Sequence, residues 1–308
     1  MDNRQLVKEI DILRKERGAV ILAHNYQPPE IQEIADMVGD SFALSKAAVG
    51  AGGGTIVFCG VRFMAESAKI LSPQKTVLLP AEDAGCPLAD CITAEQLRQA
   101  RREHPGAAAV CYINTCASVK AQSDVCCTSS NAVRVVRSLD EKEILFVPDR
   151  NLASYVAGAM PEKKIIPWNG GCRVHSRICV QDVLAAREAH PGALLLVHPE
   201  VPEQVRELAD FVGSTAKIID FSARSRRGEF IIGTEEGILE KLRSARPDAA
   251  FYMLRQDLIC RNMKKTTLQK IYDALKYMRC EVTVPEDVRR KAYTCLNRMM
   301  SIDAVSAR

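Results

Sequence analysis

Three cysteines, Cys86, Cys172 and Cys260, fall 86 and 88 residues apart, and that interval constrains the whole chain. His24, Tyr112 and His198 keep a matching spacing of 88 and 86 residues. So do Ser41, Ser129 and Thr215, at 88 and 86, and Gly60, Pro148 and Gly233, at 88 and 85. The letters agree with the intervals. RKERGAVILAHNY from Arg14, RREHPGAAAVCYIN from Arg101 and REAHPGALLLVHPE from Arg187 share one outline, and the last two share HPGA. Four landmarks in one register read as a threefold internal repeat. Three such units around a pseudo-threefold axis would bring three cysteines and three polar sets to one site.

Each unit reads as alternating helices and strands. The pattern predicts strands at 19–24, 55–59 and 75–79, at 108–113, 143–148 and 163–167, and at 193–198, 229–233 and 249–254. In the first unit, amphipathic helices are expected over about 3–16, 29–38, 41–50 and 62–71. The strands are continuous apolar runs, which suits parallel sheets covered by helices on both faces. Strand–helix alternation with short loops implies right-handed βαβ units. The expected class is therefore α/β: three similar αβα domains, each with a Rossmann-like parallel sheet, at 1–86, 87–172 and 173–260. A helical C-terminal tail is expected at 261–308, where KKTTLQKIYDALKYM carries a Thr cap and an apolar stripe.

Composition narrows the chemistry. With 47% hydrophobic residues among 308, the chain has ample material for a packed core. The net charge of +4 permits acidic ligands, yet no long basic run or aromatic-interleaved patch points to nucleic acid. Apolar runs such as AVILA and ALLLV are far below the ~20 residues that span a bilayer. The N-terminus MDNRQLVKEIDILRKER reads as a charged amphipathic helix, not a signal peptide, so a cytoplasmic location is expected. In such a reducing compartment twelve cysteines are ligands or small buried apolar residues rather than a disulfide framework.

Ligands of parallel α/β sheets bind beyond the carboxyl ends of the strands. His24, Tyr112 with Asn114, and His198 with Glu200 close the first strand of each unit, and the three cysteines follow the last strand. Ser41, Ser129 and Thr215 are expected to begin helices, where hydroxyls and free N–H groups form anion sites. Cys59, Cys111, Cys126, Cys127, Cys179 and Cys295 read as buried small hydrophobes. His175, three residues after Cys172, is either a donor beside that cysteine or exposed. Three ligands spaced so widely do not resemble a zinc finger. They leave two metals open, a [4Fe–4S] cluster with one iron free of protein and a zinc ion.

The segments AHNYQPPEIQEIAD, GDSFALS, CGVRFMAESAKIL, DAGCPLAD, CYINTCASVKAQSDVCCTSSNA, WNGGCRVH, VHPE, DFVGSTAKI, GTEEGIL and CRNMKKTTL closely resemble quinolinate synthases. The likeness runs through all three units and past Cys260. It implies three α/β domains around a pseudo-threefold axis, with an oxygen-sensitive [4Fe–4S] cluster, one per chain, in a central funnel. It implies condensation of iminoaspartate with dihydroxyacetone phosphate to quinolinate, phosphate and two waters, for NAD biosynthesis. By matching motifs, Cys86, Cys172 and Cys260 are implied as cluster ligands. His24, Ser41, Tyr112, Ile113, Asn114, Ser129, His198, Pro199, Glu200 and Thr215 are implied as substrate contacts. Tyr26 matches a mobile active-site tyrosine. A C-terminal CxxCxxC found in some members is missing, with only Cys280 and Cys295 in that region. Arg173 and Arg261 stand where proline is common.

On this reading Glu200 is the leading general acid or base, supported by His24, His198, Tyr112 and Tyr26. The partners are small-molecule substrates and, at one remove, the enzyme that supplies iminoaspartate. Neither nucleic acid nor membrane is expected. A zinc-dependent lyase or hydrolase using the same thiols and an iron–sulfur metabolite sensor are the rivals.

Overall fold

The computed structural model describes residues 1–305, so residues 306–308, the end of the expected tail, lie outside the described residues. Each unit builds a four-stranded, all-parallel sheet. The first contains β1 (Ala19–His24), β2 (Met37–Gly39), β3 (Thr55–Cys59) and β4 (Thr76–Leu78), in the order β2-β1-β3-β4. The second contains β5 (Ala108–Tyr112), β6 (Val125–Cys127), β7 (Glu143–Val147) and β8 (Lys164–Pro167), in the order β6-β5-β7-β8. The third contains β9 (Leu194–Val197), β10 (Phe211–Val212), β11 (Glu229–Gly233) and β12 (Ala250–Met253), in the order β10-β9-β11-β12. One topology used three times is the α/β architecture that the intervals imply.

The central strands are buried along their length, as β3 and β5 illustrate. Burying each such Val, Ile, Leu or Phe contributes about 1.5–3 kcal/mol, and helices cover both sheet faces to achieve it. The strand order reverses direction between β1 and β3, between β5 and β7, and between β9 and β11. These are the switch points at which a parallel sheet opens a crevice.

The edge strands β2, β6 and β10 escape the sequence pattern because they have only two or three residues. They are held by an aspartate used three times. Asp36 accepts from the Ile21 N–H at 2.7 Å and donates its own N–H to Ile21 O at 2.9 Å. Asp124 does the same with Ala109, at 2.7 and 2.9 Å, and Asp210 with Leu195, at 2.7 and 2.9 Å. Each is ion-paired to the arginine that opens its repeat, Arg14, Arg101 and Arg187. The helix expected over 29–38 therefore closes at Glu33, because Asp36 draws the chain onto β1.

The helix Leu268–Tyr277, capped by Thr267, begins the same distance after Cys260 as Ala94–Glu103 and Val180–Ala189 begin after Cys86 and Cys172. It therefore occupies the phase of a fourth unit's first helix. Its Ile271, Tyr272 and Leu275 pack with Leu6 and Ile10 of the helix Asn3–Glu16, so the chain's end closes on its beginning. Beyond it, Glu281 bridges Leu78 of β4 in antiparallel fashion. The last helix, Glu286–Val305, lies against β6 and the second unit.

Candidate active site

The carboxyl ends of the strands face a cavity of about 370 Å³, within the size range of small-molecule sites. His24 is the last residue of β1, Tyr112 the last of β5, and His198 follows β9 directly. All three line the cavity with Tyr26, Ser41, Asn114 and Ser129. Glu200, Thr215 and the cysteines Cys86, Cys172 and Cys260 complete the group. Ile113 and Pro199 are buried behind it and do not line it.

The three cysteine loops share one local geometry. Each cysteine is followed three residues later by a short 3₁₀ turn, Ala89–Cys91, His175–Arg177 and Met263–Lys265. Each cysteine carbonyl accepts an N–H four residues on, from Asp90 at 3.1 Å, Ser176 at 2.9 Å and Lys264 at 3.2 Å. Two loops are also gripped from the third strand of their own sheet. Asp149 accepts from Cys172 N–H at 3.1 Å, and Glu235 from Cys260 N–H at 3.0 Å. Burial pushes Asp149 up to about 7 and raises Glu235 against the opposing charge of Lys264. The first loop has Val61 near the corresponding place, and Arg62 N–H donates to Ala84 O at 2.8 Å instead.

Burial pushes the Cys86 thiol up to about 12 and raises Cys172 and Cys260, so without a metal these groups hold their protons at neutral pH. Among the described residues, the three sulfurs do not form a set within 4.8 Å of one another. One zinc ion with Zn–S bonds of ~2.3 Å would hold all three within about 4 Å.

The helix starts differ from expectation by one position. Asp40 and Ser214 cap the helices Ser41–Gly50 and Thr215–Arg224, accepting from Ala43 N–H at 2.9 Å and Lys217 N–H at 3.4 Å. Ser41 and Thr215 are thus first helical residues, and their hydroxyls are not used as caps. Ser129 begins no helix. It lies in a turn ahead of Ala132–Arg137, because Asn131 Oδ1 takes the Thr128 N–H at 2.7 Å and delays the helix. The three segments meet where Ser130 Oγ lies 2.7 Å from Asp40 Oδ2 and 2.8 Å from Ser214 Oγ. That contact joins all three units.

His24 and His198 are equivalent in their bonding. Tyr26 N–H donates to His24 Nδ1 at 3.2 Å, and Glu200 N–H donates to His198 Nδ1 at 3.3 Å. With Nδ1 accepting, each neutral ring carries its proton on Nε2. Burial holds His24 at about 4 and His198 at about 3, so both are neutral at pH 7.

His175 is buried, 2% exposed, and connects three groups. Its Nδ1 lies 2.7 Å from Glu200 Oε2 and 3.3 Å from Cys172 Sγ, and its Nε2 lies 2.8 Å from Thr234 Oγ1. Tyr26 Oη is 2.8 Å from the same Thr234 oxygen. A continuous path Tyr26–Thr234–His175–Glu200 results. Burial opposes charge on Glu200, but the neighbouring His198 and His175 rings, with hydrogen bonds from His175 and Tyr112, outweigh it and hold the carboxyl below its usual range. Glu200 Oε1 and Asn114 Oδ1 are buried without a hydrogen-bond partner, and both residues line the cavity. An orphaned buried acceptor is costly, and two at one cavity mark where a ligand supplies donors.

Several participants were not singled out from the sequence: Asp149, Thr234, Glu235, Asp40 and Ser214. Asp149 and Glu235 were detectable in principle, since both follow the third strand of their sheet. Cys179, read as buried, is exposed at the cap of Val180–Ala189. Among the described residues, two side-chain groups bring three metal-ligating atoms within 4.8 Å: Cys172, His175 and Glu200 at the cavity, and Cys111, Cys126 and Cys295 in the core.

Thiols, neutral imidazoles and a carboxylate with one unpartnered oxygen, gathered at the strand tips of three α/β units, define a small-molecule enzyme site lined by side chains able to ligate a metal. The family model NadA, quinolinate synthetase A protein, matches residues 8–301, and the chain belongs to that family. Quinolinate synthase of Clostridium kluyveri is 58% identical over 303 residues, 98% of this chain and 100% of the relative. That of Caldicellulosiruptor saccharolyticus is 55% identical over 302 residues, 98% and 100% of the two chains. That of Methanoregula boonei is 52% identical over 301 residues, 98% and 99%. Among the described residues, no helix is long and apolar enough to cross a membrane.

Proposed function

We propose that this chain is a quinolinate synthase that condenses iminoaspartate with dihydroxyacetone phosphate, releasing phosphate and two waters. We propose further that Cys86, Cys172 and Cys260 hold one [4Fe–4S] cluster. The observation that carries this reading is the set of three matching cysteine loops opening on one cavity beside the unpartnered Glu200 Oε1. Their sulfurs are too widely set for one ion, which suits a polynuclear group. When bound, the cluster supplies an iron without a protein ligand, a Lewis acid for a substrate oxygen.

The chain's own residues do the rest. Both substrates are anions. The Nε2–H groups of His24 and His198 and the hydroxyls of Ser41, Ser129 and Thr215 are donors for carboxylate and phosphate oxygens. Ile113 and Pro199 shape the wall from behind by fixing the strand ends. Glu200 Oε1 takes the proton released as imine converts to enamine and returns one to a leaving hydroxyl. His175 Nδ1–H steadies the carboxylate through Oε2. Tyr26, through Thr234, connects that pair to the cavity, with Tyr112 beside Glu200.

A second reading has one specific support. Cys172, His175 and Glu200 form a three-ligand set of the kind that holds a catalytic zinc. One experiment separates the two. Protein purified without oxygen is assayed for quinolinate from the two substrates while its metals are measured. Quinolinate formation by iron-loaded protein supports the proposal. Activity that follows zinc and survives Cys86→Ser and Cys260→Ser refutes the cluster. Iron-loaded protein that makes no quinolinate refutes the reaction.

A further inference from the structure

The fold gathers a second trio of thiols away from the cavity. Cys111 on β5 pairs in register with Cys126 on β6, and Cys295 comes over them from the helix Glu286–Val305. The Cys111 and Cys126 sulfurs are 3.2 Å apart, Cys111 and Cys295 3.7 Å, and Cys126 and Cys295 3.3 Å. All three residues are at most 1% exposed. They come from positions 15, 169 and 184 residues apart, so tertiary folding alone brings them together.

We propose that Cys111, Cys126 and Cys295 form a metal site separate from the cavity, taking one soft monovalent ion of the Cu(I) class on three sulfurs. A triangle of this size has its corners about 2 Å from its centre, so metal–sulfur bonds of ~2.3 Å reach an ion lying about 1.1 Å out of its plane, in a pyramidal arrangement. Soft sulfur ligands select Cu(I) and zinc. A structural zinc closes its shell with a fourth ligand. Among the described residues, no further His, Cys, Asp or Glu belongs to this group. Cu(I) accepts three sulfurs.

The charge balance is local. Three thiols and Cu(I) give a complex of two thiolates and one thiol with net charge −1, releasing two protons. Lys120 is fully buried and lies close enough to Cys111 and Cys126 for its charge to act on both, so it supplies the compensating charge. Its ammonium donates to Ile113 O at 2.8 Å and to Thr115 O. Because Cys295 belongs to the last helix, an ion there fastens that helix to the second sheet.

The test is an anaerobic titration of the holoenzyme with Cu(I) buffered by bicinchoninate, with iron followed in parallel. The expected result is uptake of a single copper with iron retained and a higher melting temperature. Cys295→Ala and Cys126→Ala each lose that copper by at least a hundredfold in affinity, while Cys59→Ala, another fully buried cysteine, keeps it. Circular dichroism identifies the folded variants, and either folded loss variant suffices. Equal uptake by wild type and Cys295→Ala overturns the site, as does wild-type copper uptake only at the expense of iron. Zinc bound more tightly than copper, and lost in Cys295→Ala, overturns the three-coordinate assignment.

Discussion

Two trios of cysteines occupy this molecule, and they differ in how they are supported. Cys86, Cys172 and Cys260 stand in loops after the last strand of each sheet, partly exposed, one from each unit, around a cavity. Cys111, Cys126 and Cys295 stand on regular elements, fully buried, two from the second unit and one from the last helix, with sulfurs 3.2–3.7 Å apart. Compact packing leaves room for one ion at most. Wide spacing on separate loops leaves room for a larger group and a substrate. Ligand potential is therefore set by the space between the sulfurs and not by the residue type.

The largest expected effect breaks the symmetry between the trios. Cys86→Ser, Cys172→Ser and Cys260→Ser each abolish quinolinate formation, whereas Cys111→Ala, Cys126→Ala and Cys295→Ala keep at least a tenth of the wild-type rate. Steady-state assays of the six proteins decide it. An inactive, folded Cys295→Ala beside an active Cys172→Ser would reverse the roles of the two trios.

Glu200→Gln comes next. It keeps the carboxyl's size and should leave the proposed iron in place, but cannot exchange a proton at pH 7. Turnover should fall by roughly 10²–10⁴, the usual worth of a general acid–base group. A fall of less than tenfold with full iron would leave Glu200 as an orienting neighbour of His198.

Asp149→Ala sharpens the comparison within the cavity trio. It frees the Cys172 N–H and removes the cap bond from Leu152 N–H at 2.8 Å. The expected cost is about 1–3 kcal/mol in denaturant unfolding, with faster iron loss under chelator. Val61→Ala, in the loop without such a clamp, should leave iron retention unchanged. Equal retention in Asp149→Ala would remove the clamp from the account.

The smallest effect is in pH. His24 and His198 have folded-state values near 4 and 3, below the ordinary 6.5. At these two sites the unfolded chain then binds more protons in that window, so their contribution to stability falls as pH drops below about 6.5. At about pH 5.5 each histidine should cost roughly 1 kcal/mol. Unfolding of wild type, His24→Gln and His198→Gln at pH 7 and pH 5.5 checks it, because Asp149, raised to about 7, opposes the histidines in the same window and is common to all three proteins. A pH 5.5 penalty unchanged in both variants would contradict the burial of neutral imidazoles.

The sequence made the repeat, the central strands and the cysteine loops legible because each rests on local composition at a fixed interval. Asp36, Asp124 and Asp210 were equally regular, but their role depends on which strand edge they reach. A two-residue strand such as β10 has no periodicity to detect. Ser41 and Thr215 were placed at helix starts correctly, while their capping neighbours Asp40 and Ser214 became visible only with backbone geometry. Ser129 was misplaced because Asn131 competes for the backbone. The Tyr26–Thr234–His175–Glu200 path and the core thiol trio join distant positions, and no spacing rule could announce them.

The most direct measurement is iron and acid-labile sulfide per chain in protein purified without oxygen, for wild type, Cys172→Ser and Cys295→Ala. The account predicts about four of each, the content of a [4Fe–4S] cluster, in wild type and Cys295→Ala, and neither in Cys172→Ser. Stoichiometric zinc without sulfide in wild type, or full iron and sulfide in Cys172→Ser, would contradict it.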